Sequence, residues 1–256
     1  MKDSPLLHKL NKHLFFIIGL LILLVAVGYL LFGKQAPSIN QEQSGNKQAA
    51  EADRGKENVK LNTDEESNQI KPVREISADD HLWGNISAPV KMIVYDDFEC
   101  PFCANYYDTL EQAKKEFGDK LVIAFRHFPL INIHVYSMQA AEASECASEQ
   151  GKFWEMYHKL FADNKAGILS GTQFKEDAKS LGLDGVKFDQ CLFQEKYKDK
   201  INEQMLEARS FNVNGTPTTF INGEIVVGAY PMDDFTGSDG VKTEGLRSII
   251  DRLLNK

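Results

Sequence analysis

Two cysteines three positions apart, in the segment Cys100-Pro101-Phe102-Cys103, are the residues of this chain best suited to chemistry. Such a pair can form half of a zinc site, close a structural bridge, or exchange disulfides with other thiols. It follows a strand-like run and opens a predicted helix, whose first turn suits Pro101. At a helix N-terminus, free N–H groups and the helix dipole stabilise a thiolate. The placement therefore favours redox exchange, in which Cys100 attacks and Cys103, deeper in the helix, resolves the mixed disulfide.

The zinc and structural alternatives have weaker support. A zinc site needs two further ligands, but Cys146 and Cys191 lie 43 and 88 residues beyond Cys103, and neither has a Cys or His partner at short spacing. We therefore predict no metal site and no cofactor. A purely structural Cys100–Cys103 bridge stays open as a less favoured alternative.

Apolar periodicity predicts the elements that position the pair. In chain order they are a strand over 90–95, a helix over 100–117 ending at Gly118, a strand over 121–128, a helical block over about 135–211, a hairpin of strands 218–221 and 224–227 around Asn222-Gly223, and a helix over 245–254. This order indicates an α/β fold of two halves with a helical insertion between them.

The first 80 residues differ in composition from the rest. Leu14–Phe32 is an uncharged apolar run of 19 residues, which as a helix spans about 28 Å, close to the thickness of a bilayer. Lysines precede this run, so the positive-inside rule predicts a cytoplasmic N-terminus (1–13) and an extracytoplasmic remainder. Residues 33–80 contain no aromatic side chain and are predicted to form a flexible linker. A cleaved signal peptide is the alternative to the anchor.

An extracytoplasmic location is oxidising. It favours a structural disulfide between Cys146 and Cys191 over two small buried thiols. The net charge of −8, from 29 basic and 37 acidic residues, argues against a nucleic-acid partner.

Four segments of the chain resemble, in this order, the DsbA-like thiol–disulfide oxidoreductases of the thioredoxin superfamily. They are DDFECPFCANY, FRHFPL, AAEASECASEQGKFWEMYHKLF and VNGTPTTFINGEIVVGAY. The resemblance implies a thioredoxin-like fold with an inserted helical domain, here within residues 81–256. It also implies that Cys100 is the nucleophile, that Cys103 is the resolving cysteine, and that Cys146 and Cys191 are bridged inside the helical domain.

The resemblance further assigns roles around the cysteine pair. Pro217 is implied to be cis and to pack opposite the Cys100 sulfur, while Thr216 offers backbone groups to an extended client peptide. Pro101 and Phe102 complete the active-site motif. The implied partners are reduced secreted proteins as substrates and a membrane reoxidase of the DsbB or vitamin-K-epoxide-reductase (VKOR) type. We expect a monomer.

Two positions depart from the family pattern. Many members carry a buried acid six residues before the first cysteine, as proton acceptor for the resolving thiol, and Val94 occupies that position here. Asp97, Glu99 or a water molecule are the candidate substitutes. Strongly oxidising members have Pro-His between the cysteines, whereas this chain has Pro-Phe. Without the imidazole we expect a less acidic Cys100 and a lower redox potential.

The sequence therefore predicts a single-pass membrane protein whose extracytoplasmic domain forms disulfide bonds in secreted or membrane proteins. A disulfide reductase or isomerase would use the same cysteine pair in another direction. A peptide-binding module without turnover is the alternative from a different functional class, and the intact Cys-x-x-Cys pair argues against it.

Overall fold

The computed structural model of this protein describes residues 73–256. The predicted cytoplasmic N-terminus (1–13), the membrane anchor (14–32) and most of the linker lie outside the described residues. From residue 73 onward, none of the helices has both the length and the apolar character that a membrane crossing requires.

The folded part begins before residue 81, where we predicted that the linker ends. Ile76 and Asp80 are buried. Asp80 forms an ion pair with the buried Arg126, whose Nε lies 2.8 Å from Asp80 Oδ1. A second nitrogen of Arg126 donates to the backbone carbonyl of Arg74 at 3.0 Å. A buried guanidinium needs such partners, and it therefore holds this short polar segment against the sheet.

The described residues form seven strands and seven α-helices, joined in part by a short 3-10 turn, Gly118–Lys120. In chain order they are β1 (His81–Trp83), β2 (Val90–Asp96), α1 (Pro101–Phe117), β3 (Leu121–His127), α2 (Ser137–Ser148), α3 (Phe153–Ala166), α4 (Gly171–Ser180), α5 (Gly185–Phe193), α6 (Lys198–Ser210), β4 (Thr218–Ile221), β5 (Glu224–Val227), β6 (Phe235–Thr236), β7 (Lys242–Thr243) and α7 (Leu246–Leu254).

Five strands form one mixed sheet in the order β1-β3-β2-β4-β5. Strands β2 and β3 are parallel and α1 connects them, whereas β2 and β4 are antiparallel. The apolar, β-branched run of β2 suits this central position, and its residues are buried except for the half-buried Lys91. The sheet therefore places the end of β2, the start of α1 and the start of β4 side by side.

The helices α2–α6 lie between β3 and β4 in the chain, where the insertion over about 135–211 was predicted. Cys146 in α2 and Cys191 in α5 are joined by a disulfide bond. Both belong to the same apolar core as Phe98, Cys100 and Cys103, which follow strand β2. The helical block therefore packs directly against the segment that carries the cysteine pair.

Candidate active site

The cysteine pair lies at the start of α1. Cys100 is the N-cap residue, with extended backbone angles, and Pro101 occupies the first helical turn. Because Pro has no N–H and its φ is already helical, it begins the helix immediately after the sulfur-bearing residue. Both cysteines are buried thiols in the structure, whereas the intervening Phe102 is 64% exposed. The motif thus places one aromatic ring on the surface beside Cys100.

The pKa values of the two thiols are shifted in opposite directions. The pKa of Cys100 is lowered to about 6, chiefly by a hydrogen bond from the Cys103 thiol. Burial opposes this shift. Interactions with Thr216 and with the backbone N–H groups of Cys103 and Phe102 lower the pKa further. Burial raises the pKa of Cys103 well above that of a free thiol. At neutral pH the pair is therefore a thiolate at Cys100 next to a protonated thiol at Cys103.

Thr216 and Pro217 lie opposite this sulfur, at the start of β4. The Thr216–Pro217 peptide bond is cis. The carbonyl oxygen of Thr216 lies 3.5 Å from Cys100 Sγ. The Thr218 hydroxyl donates to the Gly215 carbonyl at 2.8 Å, which fixes the loop in front of β4. The structure therefore brings Cys100 and Cys103 together with Thr216 and Pro217.

The candidate proton acceptors named from the sequence are engaged elsewhere. The Asp97 carboxylate accepts hydrogen bonds from the backbone N–H groups of Glu99 and Leu130, each at 2.8 Å, and lies 2.7 Å from His134 Nδ1. Glu99 Oε2 accepts from the backbone N–H of Tyr136. These two acids therefore hold the segment 130–136 next to the site, and neither turns its carboxylate to the buried thiol.

Asp96, the last residue of β2, is the acid that sequence reasoning missed. Its side chain is fully buried, and among the described residues neither carboxylate oxygen has a hydrogen-bond partner at normal distance. Burial raises the pKa of Asp96 well above its usual range, and interaction with the Cys103 thiol offsets only part of that effect. The Asp96 carboxyl is therefore protonated far more readily than a surface acid, and it faces the resolving cysteine.

The position of Asp96 follows from the pleat of β2. Val94, at the position of the family acid, is buried and paired with Phe125 and Thr219. Side chains two residues apart in a strand point to the same face of the sheet. Asp96 thus lies on the same face as Val94, one pleat nearer to the cysteines. This alternation is the signal that could have identified Asp96 from the sequence.

An exposed apolar surface lies next to the motif. In the segment that Asp97 and Glu99 hold, Ile131, Ile133 and Val135 are 51%, 72% and 85% exposed. Three large aliphatic side chains exposed within five residues exceed the scattered apolar exposure of an ordinary surface. The surroundings of Cys100 are therefore suited to apolar contact with another polypeptide.

Comparison with known proteins agrees with this geometry. A family model described as Thioredoxin matches residues 77–251. The chain belongs to this thioredoxin family. Two solved structures have the same fold at a TM-score of 0.55: alpha-DsbA1 of Wolbachia pipientis, 24% identical over 74% of this chain and 96% of that one, and BdbD of Bacillus subtilis, 20% identical over 69% and 94%. The predicted DsbA-like, thioredoxin-type fold is confirmed.

Curated relatives of this thioredoxin-family chain are longer proteins. It is 37% identical over 157 residues to the Na(+)/H(+) antiporter NhaA 1 of Mycolicibacterium vanbaalenii, and 30% identical over 169 residues to the Na(+)/H(+) antiporter NhaA of Herminiimonas arsenicoxydans. These matches cover 60% and 66% of this chain but 25% and 26% of those proteins. The chain thus spans about a quarter of their length, and the activity in their names belongs to the longer chains.

Proposed function

We propose that this protein is an extracytoplasmic thiol:disulfide oxidoreductase that forms disulfide bonds in secreted or membrane proteins through Cys100 and Cys103. The observation that carries the proposal is the difference in acidity between the two sulfurs. A sulfur with a pKa of about 6 is a good leaving group when a client thiol displaces it. Its neighbour, kept protonated by burial, is the thiol that must be deprotonated when the disulfide re-forms.

The transfer has two displacement steps. A client thiolate attacks Sγ of Cys100 in the enzyme disulfide, so the Cys100–Cys103 bond breaks and Cys103 leaves with the electron pair. Asp96, protonated because it is buried, gives its proton to the departing Cys103 sulfur. The second client thiolate then attacks the client sulfur of the mixed disulfide, and Cys100 leaves as a thiolate. The client has lost two electrons, and the enzyme holds them as its dithiol.

The apolar surface around the motif supports an unfolded polypeptide as the client. Backbone groups of Thr216, beside the sulfur, are available to pair with an extended peptide by strand addition. Ile133, Val135 and Phe102 add exposed apolar area for client side chains. Reduced secreted proteins, which expose both backbone and apolar side chains before they fold, fit this surface.

The reduced enzyme needs an oxidant to act again. We assign this role to a membrane reoxidase of the DsbB or VKOR type, because the uncharged run Leu14–Phe32 is suited to hold the chain in the membrane as a single-pass protein with its N-terminus in the cytoplasm. During reoxidation the Asp96 carboxylate takes the proton from Cys103, and Cys103 then attacks the mixed disulfide at Cys100. We expect the protein to act as a monomer, without a nucleic-acid partner.

A redox titration of the full-length protein tests the direction of transfer. The Cys100 pKa of about 6 lies between about 7 for thioredoxin and about 3.5 for DsbA. A more acidic sulfur stabilises the dithiol, so we expect a midpoint potential of about −220 mV, between about −270 mV for thioredoxin and about −120 mV for DsbA. Equilibration with glutathione buffers, followed by alkylation and mass spectrometry, measures this value.

The titration also separates the oxidase from the reductase. A midpoint at or below about −270 mV would contradict the oxidase and assign the same pair to a disulfide reductase. The matched functional assay adds the oxidised protein to a reduced, unfolded secreted protein and counts the client disulfides that form. Cys100→Ser should form none, while the exposed-site control Lys187→Gln should match the wild type.

A further inference from the structure

Two histidines and a glutamate form a buried cluster away from the cysteine pair. Glu145 Oε1 lies 2.9 Å from His81 Nε2 and 3.0 Å from His127 Nε2. Each of the three side chains offers one ligand atom, and all these atoms lie within 4.8 Å of one another. Three potential metal ligands from three different elements, β1, β3 and α2, therefore converge on one point.

We infer that His81, His127 and Glu145 form a binding site for a divalent transition-metal ion of the Zn²⁺ class. Two imidazole nitrogens and one carboxylate oxygen are a donor set that zinc takes in proteins, with a fourth position left for water. Ligand atoms about 2.0–2.1 Å from a tetrahedral zinc ion are about 3.3 Å apart. The two nitrogen–oxygen distances are within a few tenths of an ångström of that value.

The surroundings hold two of the three ligands, His81 and Glu145, in position. The His81 ring stacks on Phe153, with ring centroids 3.4 Å apart. Lys200 Nζ donates to Glu145 Oε2 at 2.8 Å, so the carboxylate is oriented through one oxygen while Oε1 faces the histidines. This is the kind of outer contact that fixes a monodentate carboxylate ligand. Metal binding requires each ring to carry its single proton on Nδ1, which leaves the Nε2 lone pairs for the ion.

An ion can reach the cluster from one side. The side chains of His127 and Glu145 are 1% and 2% exposed, whereas that of His81 is 13% exposed and belongs to β1, an edge strand of the sheet. A bound ion would link the sheet to the helical block through Glu145, which directly precedes the disulfide-bonded Cys146. The expected consequence is a site that stabilises the fold and takes no part in thiol exchange.

Metal titration of the full-length protein tests this inference. The protein is first oxidised, because a Cys100–Cys103 disulfide cannot act as a thiolate ligand. Zn²⁺ is then titrated in competition with a chromophoric chelator, and Co²⁺ is used as a spectroscopic probe. We expect one equivalent of either ion, with visible Co²⁺ absorption of a tetrahedral nitrogen–oxygen site and no sulfur-to-metal charge-transfer band. Zn²⁺ should also raise the melting temperature by mass action.

Three variants make the test specific. Loss of an outer contact costs about 10–100-fold in metal affinity, so loss of a ligand in His81→Gln or Glu145→Gln should cost at least about 100-fold. His158→Gln is the matched control, because His158 also pairs with a carboxylate, Glu111, but at the surface. It should bind like the wild type. His81→Gln is the primary variant because this side chain is the most exposed of the three.

Either of two results would overturn the inference. One is the absence of saturable one-to-one binding to the oxidised wild type, which would leave the three residues as a hydrogen-bonded cluster only. The other is unchanged affinity in both His81→Gln and Glu145→Gln while their melting curves show folded protein. Both results would leave the proposed thiol exchange untouched, because the cysteines are oxidised throughout.

Discussion

Cys103→Ala is expected to convert the protein into a trap for its clients. When Cys100 attacks a client disulfide, the normal escape is attack by the neighbouring Cys103 thiol on the mixed disulfide. The substitution removes the only sulfur beside Cys100 in the motif, so a mixed disulfide that no second client thiol can reach is released only by thiols from solution. Because an oriented internal group reacts far faster than one that must collide, the lifetime of the mixed disulfide should rise by at least about 10³-fold. Non-reducing gels of alkylated cells would show high-mass adducts that disappear when dithiothreitol reduces the disulfides.

The matched control for the trap is the double variant Cys100→Ser with Cys103→Ala. It keeps the fold and the apolar surface but has no sulfur that can attack, so it should form no adducts. Equal adduct formation by the single and the double variant would mean that the complexes are not disulfides of Cys100. Absence of adducts from the single variant under oxidising growth would contradict client exchange.

Asp96→Asn is expected to slow every step in which Cys103 gains or loses a proton. A positioned general acid or base typically contributes about 10²–10⁴-fold, so we expect resolution of a mixed disulfide to slow by about 100-fold at pH 7. Stopped-flow measurement of reoxidation by glutathione disulfide separates the two steps. The first step, attack by the Cys100 thiolate, should keep its rate. The second step, closure of the Cys100–Cys103 bond, should become slower.

Stability should move in the opposite direction from activity in this variant. The pKa of Asp96 is higher in the folded protein than in the unfolded chain. As pH rises from about 4 towards the raised pKa, the unfolded chain ionises while the folded protein does not, so the wild type loses stability. Asp96→Asn has no such loss and should therefore be more stable than the wild type at pH 7. Urea unfolding at pH 4 and at pH 7 measures the difference.

Glu99→Gln is the matched control for Asp96→Asn. Glu99 is also an acid just before the motif, but its carboxylate holds the backbone of Tyr136, and an amide oxygen can accept that hydrogen bond as well. The control should keep a resolution rate close to that of the wild type. Equal slowing in both variants would show that general loss of negative charge, and not the buried acid, controls the step.

The main elements could be predicted because they depend on local patterns. The apolar run of β2, the Asn222-Gly223 turn and the helix that Pro101 begins each carry their signal within a few residues. β1 was missed because its three residues are too short for an alternation to be recognised. Its position depends on pairing with β3, about 40 residues later in the chain.

The N-terminal boundary and the buried acid could not be found in the same way. Residues 73–80 are as polar as the linker before them, and their order depends on Arg126, which lies far along the chain. Val94 occupies the family position for the acid, and the substitutes predicted from the sequence were Asp97 and Glu99. Asp96 is the next residue on the same face of the strand as Val94, and only its burial next to Cys103 distinguishes it from those two acids. In both cases the decisive partner is a tertiary contact.

The acidity of Cys100 is the central claim, and the pH dependence of its alkylation tests it most directly. A pKa of about 6 leaves about nine in ten Cys100 thiols ionised at pH 7, against a few in a hundred for an unperturbed thiol. In the reduced full-length protein we predict that the iodoacetamide rate at Cys100 follows a single titration centred near pH 6, while Cys103 stays unmodified. A midpoint near pH 8.5, or a Cys100 that no reagent reaches while the fold is intact, would contradict the account.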